Sequence, residues 1–155
     1  MLNVLFLELK KAFLTFFCPN LARQNAAKLA VENNTMQLGV PKEIKAQEFR
    51  VGMTPAGVRE LVSAGHTVLT ESGAGDAIGL TDDLYRSAGA SVVETAEQVF
   101  AESDMIVKVK EPQPHECRQL RPEQLLFTYL HLAADPLQAE LLMNSGATCI
   151  AYETI

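Results

Sequence analysis

From residue 36 onward the apolar positions fall into short continuous runs separated by segments with helical spacing. The runs at 36–40 (MQLGV), 66–71 (HTVLTE), 90–94 (ASVVE), 105–110 (MIVKVK), 125–130 (LLFTYL) and 147–153 (ATCIAYE) are predicted strands. Between them, 54–65 reads as a helix: Thr54 is the N-cap, Pro55 the first helical residue and Gly65 the stop, with Val58, Leu61 and Val62 on one face. Residues 81–89 read as a second helix, capped by Thr81, with Asp82 and Asp83 in its positive first turn and Gly89 at its end. Thr95 and Gln98 have the spacing of a capping box over 95–103. Asp135, Pro136 and Gly146 bound a last helix over 135–146. Strands alternating with helices imply an α/β fold: a mostly parallel, Rossmann-like sheet with helices on both faces. Strands buried on both faces read as unbroken apolar runs, as several of these do.

Residues 1–35 do not share this pattern. They carry Lys10, Lys11, Arg23 and Lys28 against Glu8 and Glu32, a net +2, whereas the whole chain carries −6. No basic region precedes the apolar run and charges interrupt it, so it is a poor signal peptide. The stretch from Ala12 to Cys18 is too short to span a bilayer. An interfacial amphipathic anchor is one reading. The plainer one is an extension outside the fold, with Met36 as the natural start and 36–155 as the domain.

Composition narrows the class. A chain of 155 residues can bury roughly 70% of its extended surface. Acidic balance argues against nucleic acid or an anionic membrane as partner. Three cysteines, Cys18, Cys117 and Cys149, form no C-x-x-C pair, which fits a reducing, cytoplasmic setting and no metal site.

In an open parallel sheet, ligands bind outside the carboxyl ends of the strands. Three chemistry-bearing residues follow strands there. Arg50 ends the segment PKEIKAQEFR after the first strand, Lys110 ends MIVKVK, and His131 follows LLFTYL. Arginine grips a carboxylate through paired hydrogen bonds, lysine polarises an oxygen, and histidine passes protons near neutral pH. Together they suit a small 2-oxo or 2-amino acid. Singly, each is more ordinarily a solvated cation or a half-buried histidine. His66 and His115 read as bland, the latter in the polar loop PQPHE. Gly73-x-Gly75-x-x-x-Gly79, with Glu94 ending the next strand, imitates a dinucleotide fingerprint. The predicted helix starts beyond the last glycine, and Asp82 and Asp83 would repel phosphate, so the segment reads as a flexible loop.

The stretches GVPKEIKAQEFRVGMTPAGVRELVSAGHTVLTESGAG, DMIVKVKEP and LLFTYLHLAAD…ATCIAYETI resemble the N-terminal, substrate-domain part of the alanine dehydrogenase family over essentially all of 36–155. The alpha subunit of nicotinamide nucleotide transhydrogenase shares the early pattern and looks less similar at TYLHLAAD and AYETI. The resemblance implies NAD-dependent conversion of L-alanine to pyruvate and ammonia in a homo-hexamer. It implies that Arg50 and Lys110 hold the substrate carboxylate and carbonyl region and that His131 is the acid/base. It also implies an NAD domain, C-terminal helices and a further catalytic carboxylate that this chain lacks. The expectation is therefore a truncated substrate domain, inactive alone, with an exposed apolar patch where those helices would pack. The alternatives are a non-catalytic module that binds a carboxylate or joins an oligomer, and the N-terminal piece of a transhydrogenase alpha subunit.

Overall fold

The computed structural model describes residues 35–154. The chain divides into the units Met1–Thr35 and Met36–Ile155. Apart from Thr35, the expectations for residues 1–35 lie outside the described residues.

Six strands form one wholly parallel sheet: β1 Gln37–Val40, β2 Thr67–Glu71, β3 Ser91–Val93, β4 Met105–Val107, β5 Leu125–Thr128 and β6 Thr148–Ala151. Their order is β3-β2-β1-β4-β5-β6. The chain builds outward from β1 to β3, then crosses back to place β4 on the free side of β1. The carboxyl ends of β1 and β4 are thus the switch point of the sheet, where folds of this type open a ligand crevice.

The helices are α1 Pro55–Ser63, α2 Asp82–Ala88, α3 Ala96–Glu102, α4 Pro114–Cys117 and α5 Pro136–Ser145. Their ends follow the expected chemistry. Thr54 accepts from the Gly57 amide, the Thr95–Gln98 capping box forms, and Asp135 accepts from the Gln138 amide. Gly89 and Gly146 close α2 and α5 in the left-handed conformation. Thr81 occupies the N-cap of α2 with extended backbone but without a side-chain bond.

At the central strands both faces of the sheet are covered. Gly39 faces α3, and a Cβ there would lie 2.3 Å from Ser103 Oγ and 2.6 Å from Val99 Cγ1, so only glycine allows the approach. On that side Val99, Phe100, Ile106, Cys117, Leu120, Leu126, Leu130 and Leu142 form one cluster. Leu38 and Val40, which alternate with Gly39, are buried as well. Carbonyls at the end of α3 are satisfied from afar: Arg121 and Gln124 side chains donate to the Phe100 and Ser103 oxygens. At the edge, β6 is half-buried throughout, whereas every residue of β4 is buried. The large apolar side chains left in solvent include Phe49, Leu132, Leu137 and Met143.

Five expectations need correction. The fourth strand stops at Val107 rather than Lys110, and the fifth at Thr128 rather than Leu130. The last strand is Thr148–Ala151, after which the chain turns into a 3₁₀ segment. The loop containing His115 holds the short helix α4, on which Glu116 is buried. The glycine segment after β2 is fastened rather than flexible, because Asp82 accepts from Ser72 Oγ at 2.7 Å and from the Gly73 amide at 2.8 Å.

Gly52 follows Arg50 and lies directly on the end of β4. A Cβ there would sit 2.4 Å from the Val107 carbonyl oxygen. Gly52→Ala should destabilise the fold by about 1–3 kcal/mol, read from the urea midpoint, because backbone rather than a side-chain tip must yield.

Candidate functional site

Past Val107 the β4 strand loses its neighbours. Its last ladder bond runs from the Lys108 amide to the Phe127 carbonyl, 3.0 Å. Every buried backbone group beyond that point needs another partner. Lys108 itself turns inward, with a side chain only 1% exposed. Its ammonium lies 2.8 Å from Glu116 Oε1 and 3.4 Å from Glu43 Oε2. Burial pushes the Glu43 carboxyl above its usual range, and the Lys108 charge and the Val109 amide oppose that rise. One cation between two carboxylates thus joins the loop after β1, the tip of β4 and helix α4.

The same Glu43 accepts from the Val109 amide at 2.6 Å. Tyr152, just past β6, donates its hydroxyl to the Val109 carbonyl at 2.6 Å. Thr128, the last residue of β5, donates to the Lys110 carbonyl at 2.7 Å. Lys110 is delivered from this framework with its ammonium 4.8 Å from the centre of the Tyr129 ring, a cation–π distance.

His131 also lies against that ring, the two ring centres being 5.6 Å apart. Its backbone is left-handed, with φ 49°, a conformation uncommon outside glycine and worth a physical cause. Glu153 holds the backbone at this point: its carboxylate accepts from the Leu130 amide at 3.1 Å and the His131 amide at 2.9 Å. Burial raises the Glu153 carboxyl, but these amides and the nearby imidazole outweigh it and hold the group below its usual range. Tyr152 packs against Tyr129 at 6.2 Å and against Phe127 at 5.6 Å.

Arg50 is exposed and forks onto Glu48. Its Nε donates to Oε1 at 2.7 Å and its Nη2 to Oε2. The hydrogen bonds from Arg50 pull the Glu48 carboxyl down to about 2. Lys110 is close enough to lower Glu48 further, and Arg50 close enough to lower the Tyr152 hydroxyl. Lys110 and His131 therefore both lie against Tyr129, while Arg50 is within electrostatic reach of Tyr152 and shares its neighbour Glu48 with Lys110. Nearby, Lys45 pairs with Glu111.

Sequence reading missed Glu43, Lys108, Glu116, Tyr129, Tyr152 and Glu153. A signal existed for Lys108: a lysine inside a doubly buried strand requires an acidic partner. Nothing local, however, names Glu116 or Glu43 as that partner.

The glycine segment supplies no dinucleotide cradle. Asp82 already occupies the Gly73 amide, and α2 opens with two acids. Among the described residues no group of three His, Cys, Asp or Glu could hold a metal ion, and no helix is long and apolar enough to cross a membrane.

The fold is a doubly wound, Rossmann-like parallel α/β sheet, with two cations and a histidine in the segments that follow its strands. The family model described as "Alanine dehydrogenase/PNT, N-terminal domain" matches residues 39–155, and the chain belongs to that family. It is 51% identical over 120 residues to the alanine dehydrogenases of Mycobacterium tuberculosis H37Rv and Bacillus subtilis 168, covering 77% of this chain and 32% of each relative. The chain thus spans about a third of the length of these curated relatives. Among solved structures, an L-alanine dehydrogenase aligns at TM-score 0.74 and 55% identity, over 76% of this chain and 32% of that one. A transhydrogenase from Sinorhizobium meliloti aligns at TM-score 0.71 and 28% identity, over 76% and 35%.

Two outcomes test the site. Lys108→Met should lose roughly 3–5 kcal/mol in urea unfolding, since it strands two buried carboxylates. The Glu48 carboxyl carbon, followed by NMR, should titrate near 2. Because its folded value is depressed, the pair's contribution is complete above the ordinary value near 4.5 and fades as pH falls toward 2.

Proposed function

We propose that residues 36–155 are the substrate-binding part of an NAD-dependent alanine dehydrogenase, acting on L-alanine and pyruvate. The observation that carries this is that Lys110 and His131 lie against one ring, Tyr129, beyond the strand ends, with the Arg50–Glu48 fork in electrostatic reach of Lys110. Family membership and the alanine dehydrogenase relatives support it.

In this reading Arg50 binds the substrate carboxylate. To do so its fork must release Glu48 or share its donors with it. Lys110 faces the carbonyl oxygen of pyruvate and draws its electrons, aided by a site partly shielded from water. His131 holds or accepts the proton at the reacting centre, and Glu153 fixes the backbone from which the imidazole projects. NAD supplies the redox chemistry in such an enzyme. The described residues do not fit a dinucleotide, so we assign NAD to the part of the longer relatives that this chain does not match. The finer expectations, a homo-hexamer and a cytoplasmic setting, belong to the same proposal.

The test is an NMR titration of the chain with pyruvate. Shifts should appear at Lys110 and Arg50, weaken in Lys110→Ala and Arg50→Ala, and strengthen in Glu48→Gln, which frees the guanidinium. Shifts that survive both alanine variants would remove the site assignment. The chain can also replace the matching third of the Bacillus subtilis alanine dehydrogenase. In that chimera His131→Ala should lower kcat about 10²–10⁴-fold. Turnover within a few-fold of the parent chimera would take His131 out of the mechanism.

A further inference from the structure

We infer that Glu43 and Tyr152 are positioning residues for Lys110, gripping Val109 from both sides of its backbone. This deepens the proposed function and rests on its reading of Lys110 as the group that meets the substrate oxygen.

The need for such a grip follows from where β4 ends. Up to Lys108 the strand is held by ladder bonds to its neighbours. At Val109 the amide and the carbonyl pass instead to side chains from elements far apart in sequence. Glu43 lies 66 residues earlier and Tyr152 43 residues later. The carbonyl that Tyr152 holds belongs to the peptide joining Val109 to Lys110, so it fixes the plane from which the lysine leaves. Thr128 holds the next carbonyl. Glu43 is in turn held by the buried ammonium of Lys108, which keeps its carboxylate aimed along the chain. A long, flexible lysine side chain loses rotamer freedom when it is fixed on a ligand. Anchoring its base and resting its tip on Tyr129 removes part of that cost before the ligand arrives.

Neither residue is placed on the substrate, so neither is a catalytic residue. Their effect is on where Lys110 points. Glu43→Gln keeps an oxygen that can accept from the Val109 amide, whereas Glu43→Ala removes it. Tyr152→Phe removes one hydrogen bond and keeps the ring against Tyr129 and Phe127.

The experiment uses the full chain, labelled for NMR. It records amide exchange at Val109 and Lys110, side-chain relaxation of Lys110, and affinity for pyruvate. Tyr152→Phe and Glu43→Ala should each accelerate exchange, loosen the Lys110 side chain and weaken pyruvate binding about threefold to tenfold. Glu43→Gln should restore most of the wild-type behaviour. Wild-type exchange and relaxation in Tyr152→Phe would overturn the inference, and that variant decides the matter if Glu43→Ala fails to fold. If wild-type chain shows no pyruvate shifts, the substrate reading fails. The clamp then stands or falls on exchange and relaxation alone: faster and looser supports it, unchanged rejects it.

Discussion

An ammonium buried at the end of a central strand must be met by carboxylates, and the site geometry depends on how Lys108 meets that demand. Unpaired, the charge would cost several kcal/mol. Paired with Glu43 and Glu116, it ties three elements that share no sheet bonds at that point: the loop after β1, the tip of β4 and helix α4. The Glu43 carboxyl is raised by burial, and the Lys108 charge offsets that rise only in part. Its second function, accepting from Val109, carries the order of the buried triad outward to Lys110.

The other anchor comes from beyond β6. Tyr152 and Glu153 are adjacent in sequence, yet each holds a different segment: Tyr152 the Val109 carbonyl, Glu153 the amides of Leu130 and His131. A displacement of this short 3₁₀ turn would therefore move Lys110 and His131 together. Edge strands are ordinarily the least constrained part of a sheet. Here the residues after the edge strand are fastened inward, onto Val109, Leu130 and His131.

Arg50 contrasts with this. It sits in solvent on a loop, paired with a carboxylate two residues away. Such pairs are worth little to stability. Their value is that they keep a guanidinium in one orientation and are easily exchanged for another carboxylate. Lys110 and His131 sit on a built framework, and Arg50 on an adaptable one.

Much of the fold was legible in the sequence because its determinants are local. Apolar runs marked the strands, and Thr54, Thr95, Asp135, Gly89 and Gly146 marked helix ends through bonds that reach only a few residues. Lys110, His131 and Arg50 were legible because a parallel sheet sends every strand's end to one edge. The exact strand ends were not, since MIVKVK and LLFTYL continue in apolar character past the point where neighbouring strands stop pairing. Nor were the partners of Lys108, or the hold of Tyr152 and Glu153 on segments 43 and 22 residues away. Sequence determines which residues must be buried, capped or charged, because those demands arise within a turn or a strand. Which distant side chain answers a buried amide or ammonium is decided only when the sheet has assembled, because hydrogen bonds and ion pairs act over a few ångströms of space rather than along the chain.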